Sequence, residues 1–181
     1  MNSALLLVDI QNDYFSGGRS ELFQPEQAAQ QARLVLEYFR NSNLPIVHIR
    51  HVSLNEEAGF FLPGTEGGEI HSSVCPIGEE PVLVKHTPNA FIRTGLEREL
   101  RGRKIEHLVV CGMMSHMCID SSVRAAKDLD FSVTLLEDTC TTKDLVWNGV
   151  HISAQTVHQA VMASLSNTFA QILKTQDFLP G

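Results

Sequence analysis

Five short apolar runs set the limits on what this chain can fold into: ALLLVDI at 4–10, PIVHIR at 45–50, PVLVKH at 81–86, HLVVCG at 107–112 and SVTLLED at 132–138. They are rich in β-branched residues and mostly do not alternate with polar ones, the pattern of parallel strands covered on both faces. The segments 25–42, 92–102 and 115–129 between them carry helical patterning, with Pro25 near the start of the first and Leu34, Tyr38 and Phe39 expected on one face. Ser153 is a candidate N-cap for a last helix with apolar residues at 157, 160, 161, 165 and 169, and 169–173 is a candidate sixth strand. Strands alternating with helices imply an α/β fold: a doubly wound, mostly parallel six-stranded sheet with helices on both faces, Rossmann-like and three-layered. At 181 residues and 43% apolar content the chain can bury one sizeable core, so residues 1–181 are expected to form a single domain.

The formal net charge of −7 comes with no basic block, which disfavours a nucleic-acid surface. The opening MNSALLLVDI lacks a basic lead, and Asp9 ends its apolar run, so neither a signal peptide nor a membrane span is expected and the location read from it is cytoplasmic. Cys75, Cys111, Cys118 and Cys140 form no C-x-x-C pair and are read as free thiols. Cys75, Cys111 and Cys140 are assigned to packing. Cys118 is different, because GMMSHMC runs from a strand end to a helix start, where free N–H groups and the helix dipole favour a thiolate.

In a doubly wound sheet ligands bind outside the carboxyl ends of the strands, which makes strand ends the places to look for chemistry. Asp9 ends the first strand, Lys85 the third, and Cys118 follows the fourth. Together they form a workable set: a carboxylate to take the thiol proton, an ammonium to hold the negative charges in place, and a thiolate to attack a carbonyl. Residues 51–80 read as a long Gly-rich loop of the kind used for lids and binding segments. Gln11 and Asn12 are expected to pin the loop after Asp9 through amide hydrogen bonds.

LLLVDIQNDY (5–14), VLVKHTPNAFIRTGLERELR (82–101) and HLVVCGMMSHMCIDSSVRAAKDLDFSVTLLEDTC (107–140) resemble the isochorismatase-like cysteine hydrolases, a group that includes nicotinamidases and N-carbamoylsarcosine amidohydrolase. The resemblance runs over nearly the whole chain. It implies a six-stranded parallel sheet and a catalytic triad of Asp9, Lys85 and Cys118. It further implies a cis peptide between Met113 and Met114, with the backbone N–H groups of Met114 and Cys118 forming an oxyanion hole. Dimers or tetramers are common in the group, so a homodimer or homotetramer is implied, and the apolar pair Phe60–Phe61 would suit a subunit contact.

Nicotinamidases of the group hold a metal on an Asp-x-His pair and a further histidine, and this chain has no Asp-x-His. His48 and His51 lie three apart on a strand and would face opposite sides, so no metal and no cofactor are expected. Phe15, His51, Phe60, Phe61 and His116 are candidates for the substrate pocket, and His158 is read as a structural histidine. A cysteine in the nucleophile position argues for acyl transfer and against vinyl-ether cleavage, which in this group uses an acidic residue there. The expected activity is therefore metal-independent hydrolysis of a C–N bond in a small amide, carbamoyl compound or lactam through a thioester. Other readings stay open: a nicotinamidase with an atypical metal site drawn from His51, His71 or His86, a non-catalytic binding protein on the same fold, or a thiol redox protein.

Overall fold

The computed structural model describes residues 2–180. In chain order its elements are β1 (Ser3–Val8), α1 (Pro25–Asn41), β2 (Ile46–His51), β3 (Val82–Lys85), α2 (Leu96–Gly102), β4 (His107–Met113), α3 (Asp120–Asp128), β5 (Ser132–Thr141), β6 (Leu145–Trp147), β7 (Val150–Ile152), α4 (Ala154–Leu165), β8 (Gln171–Leu173) and α5 (Thr175–Phe178). Six of the strands make one sheet in the order β3-β2-β1-β4-β5-β8, and every pairing in it is parallel. The chain winds outward from β1 to β3, then returns to lay β4 on the other side of β1. The strand order therefore reverses between β1 and β4, which opens a crevice at their carboxyl ends.

β1 shows why its apolar run does not alternate. Ala4, Leu6 and Val8 pack into one core with Leu96 and Leu100 of α2, Val123 and Ala126 of α3, and Met162 and Leu165 of α4. Leu5 and Leu7 point the other way, into a second core with Ala28, Ala32, Val35, Leu36 and Phe39 of α1. A strand buried on both faces needs an apolar residue at every position. The stripe on α1 follows steps of three and four, which turns Leu34 outward at 47% exposure, so the expected shared face with Tyr38 and Phe39 is corrected.

β6 and β7 form a small antiparallel hairpin that was not among the expected elements. Its turn holds Asn148 and Gly149, both at positive φ, which is the residue pair a tight hairpin turn selects. The four cysteines are free thiols. Cys111 and Cys140 are buried, whereas Cys75 is exposed and takes no part in packing, against expectation. Phe61 is buried within its own chain, so the Phe60–Phe61 pair is not an outward-facing patch. No described helix is long and apolar enough to cross a membrane.

Gly112 brings the two central strands together. A Cβ placed there would lie 2.0 Å from the Val8 carbonyl oxygen, and φ is +140°, a conformation that L side chains rarely adopt. Gly112→Ala is therefore expected to destabilise the fold by about 2–3 kcal/mol or more, since neither backbone can move without disturbing the crevice. The denaturant midpoint of the variant measures this, and an unchanged midpoint would contradict it.

Candidate active site

The residue after β1 is Asp9, held at φ +52° in the left-handed region that Asp tolerates better than most residues. Its N–H donates to the Ile49 carbonyl at 3.0 Å, and its own carbonyl accepts from Gln11 N at 3.0 Å. The side chain is fully buried, and Oδ2 lies 2.7 Å from Nζ of Lys85, the last residue of β3. The same Nζ donates to Cys118 Sγ at 3.1 Å and to the Thr87 carbonyl at 3.0 Å. Asp9, Lys85 and Cys118 are 0%, 1% and 4% exposed, so the fold brings together at one buried point three residues that are distant in sequence.

The thiol stands on a π-helical turn, Ser115–Ile119, entered through a cis Met113–Met114 peptide and continued into α3. The Met114 carbonyl accepts from Met117 N at 3.1 Å and Ile119 N at 3.2 Å. Side chains lock the turn from behind. Ser115 Oγ donates to the Thr141 carbonyl at 3.2 Å and is paired with His158 Nδ1 at 2.8 Å, which gives His158 a structural partner. His116 bonds Thr142 through Nδ1, and Ser122 Oγ accepts from Ala90 N.

Charge is distributed unevenly over this cluster. Burial pushes the Asp9 carboxyl above its ordinary range, opposed by Lys85 and by a hydrogen bond with Cys118. Burial works against the Lys85 ammonium, but Asp9 and then Cys118 more than compensate and hold it above the ordinary lysine value. Burial, followed by the negative charge of Asp9, drives the Cys118 thiol well up. Desolvation and a neighbouring carboxylate thus work against the thiolate that a helix start alone favours.

His51 closes the cluster. It is the last residue of β2, in register with Lys85, and its Nδ1 lies 2.8 Å from Nζ. An ammonium has only hydrogens to offer, so Nδ1 is the acceptor and the ring is the tautomer with its proton on Nε2. Burial, then Lys85 and His86, pull the His51 pKa down to about 4, keeping it neutral near pH 7. Gln11 fixes the backbone of His51 from both sides, accepting from His51 N at 2.7 Å and donating to His51 O at 2.9 Å. The same amide donates to Gly68 O at 2.8 Å, and Asn12 donates to Glu66 O at 2.8 Å, so the pair ties the 51–80 segment to the strand ends.

That segment carries three short 3-10 turns and is pinned by Asp13, whose Oδ2 accepts from Phe61 N at 2.6 Å. Phe61 meets Tyr14 edge-on with ring centroids 4.6 Å apart and reaches His51 at 5.8 Å, and Phe60 lies 4.9 Å from Phe61. These rings form a continuous wall on the His51 side. Phe15 instead stacks on His71 at 3.6 Å. Tyr14 was missed in the sequence. Burial, then Cys118 and Asp9, raise its phenol well above the ordinary value. The short turn Asn12–Tyr14, folding straight back after the strand end, is the only local signal for it.

A nicotinamidase-type metal set does not fit these residues. His48 turns away, its Nε2 bonded to Glu80 at 2.9 Å, while His51 faces Lys85. His71 pairs with Ser73 and His86 with the Val52 carbonyl, so the two do not converge with His51. Donor atoms of Asp9, His51 and Cys118 do lie within 4.8 Å of one another, but Lys85 Nζ stands among them. A separate cavity of about 530 Å³ opens between the first turns of α1 and α4, lined by Gln24, Gln155 and Lys174 among others, and contains none of these four residues.

Residues 3–177 match the isochorismatase domain family. The isochorismatase family protein YddQ of Bacillus subtilis is 46% identical over 179 residues, 99% of either chain. A streptothricin hydrolase of Streptomyces noursei is 30% identical over 170 residues, 93% of this chain and 58% of its own length. Among solved structures, an isochorismatase-family hydrolase from Oleispira antarctica superposes with a TM-score of 0.95 at 43% identity, covering 99% of this chain and 97% of that one. A reversing parallel sheet with a buried carboxylate, ammonium and thiol at its switch point, matched from end to end by these relatives, makes the chain a member of the isochorismatase family of hydrolases.

Proposed function

We propose that the protein is a metal-independent cysteine hydrolase that opens a C–N bond in a small amide, carbamoyl compound or lactam through a thioester. The observation that carries this reading is the buried contact of Lys85 Nζ with Asp9 Oδ2 at 2.7 Å and Cys118 Sγ at 3.1 Å. A thiol whose proton is held up by burial needs a base in contact with it, and the raised carboxyl of Asp9 supplies one of better-matched strength.

Asp9 takes the thiol proton as Sγ attacks the carbonyl carbon. The new C–S bond pushes the carbonyl electron pair onto oxygen, where the N–H groups of Met114 and Cys118 receive it. Donors placed in this way contribute roughly 3–4 kcal/mol each in comparable sites. The tetrahedral adduct collapses, the C–N bond breaks, and the departing nitrogen takes the proton from Asp9. Water, deprotonated by the same carboxylate, then cleaves the thioester and returns the thiol. Lys85 stays charged throughout and orients both partners, with neutral His51 holding it from the other side. The streptothricin hydrolase among the relatives supports hydrolytic chemistry on this scaffold.

Cys118→Ala and Asp9→Asn should each lower ammonia or amine release from a panel of small amides, ureides and lactams by roughly 10⁴-fold or more, with the fold intact by circular dichroism. Trapping with a slow substrate should add an acyl mass to the wild type and none to Cys118→Ala. Turnover retained in either variant would move the nucleophile or the base elsewhere, and no turnover on any substrate by the wild type would favour a binding protein.

The pH profile of kcat/KM follows from the charges. Asp9 must be ionised to act, so activity should fall as pH drops through a value above the ordinary carboxyl value of 3.8. Lys85 must stay protonated, so the alkaline fall should come only above 10.5. An acid limb that disappears in His51→Gln would assign the base to histidine instead. Exhaustive dialysis against a chelator should leave activity undiminished, because the thiol is itself the nucleophile and no metal-activated water is required. Activity lost on chelation and restored by zinc, manganese or iron would overturn the metal-free mechanism.

A further inference from the structure

We propose that His51 sets the specificity of this site: its Nε2–H donates to a second oxygen of the substrate, and so selects amides that carry another carbonyl a few bonds beyond the one attacked. This role rests on the hydrolase reading and names the class of substrate for it. A proton count fixes which ring nitrogen is the donor. Lys85 Nζ lies 2.8 Å from Nδ1, and an ammonium offers only hydrogens, so Nδ1 accepts and the ring proton is on Nε2. His51 is only partly buried, and among the described residues no group accepts from Nε2. Nor is Nε2 one of the buried polar atoms left without a partner, so solvent reaches it. The protein thus leaves a free donor at the rim of the Asp9–Lys85–Cys118 cluster.

Its position suits a substrate contact. A ring nitrogen of His51 lies within 4.8 Å of Cys118 Sγ and of an Asp9 carboxylate oxygen. A carbonyl carbon ready for attack stands roughly 3–3.5 Å from the nucleophile, and an acceptor roughly 2.7–3.2 Å from Nε2, which separates the two by about two to four bonds. Gln11 grips the His51 backbone on both sides, so the donor rides on a fixed strand end. Phe61, with its ring centroid 5.8 Å from the imidazole, and Phe60 beyond it give the substrate an apolar flank.

The character of the donor decides the class. Lys85 donating into Nδ1 polarises the ring and strengthens Nε2–H, the cooperative effect of a hydrogen-bond chain. Burial, then Lys85 and His86, hold the His51 pKa at about 4, so near pH 7 the ring offers one proton and no charge. A neutral carbonyl oxygen matches such a donor. A hydrocarbon in the same place would cover Nε2–H without pairing it, and a site left with a dry, unpaired donor rejects the analogue that lacks the acceptor.

The test uses amides matched in shape, malonamide against isovaleramide and succinamide against isocaproamide, in which a carbamoyl group replaces an isopropyl group. Counted per amide group, wild-type kcat/KM should favour each diamide by roughly tenfold or more. In His51→Leu the ratio should fall to within about twofold, even though both rates drop as Lys85 loses its support. His51→Gln, whose amide accepts from Lys85 and donates onward, should keep most of the preference. Equal rates within both pairs, or a ratio untouched by His51→Leu, would overturn the assignment and leave His51 as a support for Lys85 alone. Binding is read separately in Cys118→Ala by proton–nitrogen correlation spectra. They should show His51 protonated on Nε2, with that proton shifting on addition of malonamide and not of isovaleramide. A ring protonated on Nδ1, or no shift with malonamide, would also overturn the assignment. Absence of turnover on every amide would count against the hydrolase reading instead, and the nitrogen spectra would still decide the donor.

Discussion

One buried positive charge organises the carboxyl edge of this sheet. Lys85 Nζ touches a carboxylate, a thiol, an imidazole and a backbone carbonyl, and no water-facing route remains for its charge. An ammonium in that position is tolerated only because Asp9 neutralises it, and Asp9 is tolerated there only because of Lys85. Removing either leaves the other as an uncompensated buried charge, so the pair holds together by mutual need more than by net attraction. That dependence requires β1 and β3, two strands apart in the sheet, to end at the same depth. The parallel register through β2 meets the requirement, setting Val8 beside Ile49 and His51 beside Lys85.

The same pairing shapes the chemistry. A carboxylate beside a thiol normally makes the thiol a poorer acid, and here burial adds to that effect. In the mechanism we propose, the nucleophile stays a thiol until a substrate carbonyl arrives. A thiol that ionises only as it attacks is less exposed to adventitious oxidation than a standing thiolate. The proposed mechanism thus gives up resting nucleophilicity for protection and assigns Asp9 the role of base.

Much of this was legible in the sequence, for identifiable reasons. The strands were, because β1 is buried on both faces and so carries apolar residues without interruption, while the partly exposed strand at 171–173 fell within the tail at 169–173 that the sequence marked. Asp9, Lys85 and Cys118 stood out as reactive side chains at strand ends, where this topology collects them. What escaped depended on direction or on long-range proximity. Leu34 has the residue type of a core position but sits one step off the buried stripe. The β6–β7 hairpin is too short and exposed to leave an apolar pattern, although Asn148–Gly149 marked its turn. His51 was named for the pocket, but its contact with Lys85 was not visible because the two lie 34 residues apart, and Tyr14 was missed because nothing local marks it beyond the short turn Asn12–Tyr14. The thiol's ionisation could not be read from a helix start alone, since the desolvation and the carboxylate that decide it come from β1 and from the packing of the whole crevice.

Gln11 links the strand ends to the long segment that follows β2. By holding both the N–H and the carbonyl of His51 while also gripping Gly68, a single amide joins the ends of β1 and β2, and with Asn12 and Asp13 it anchors the 51–80 segment to them. In the hydrolase we propose, the strand ends would hold the reaction while this one anchored stretch of chain, pressed against His51 through Phe61, would choose what reaches it.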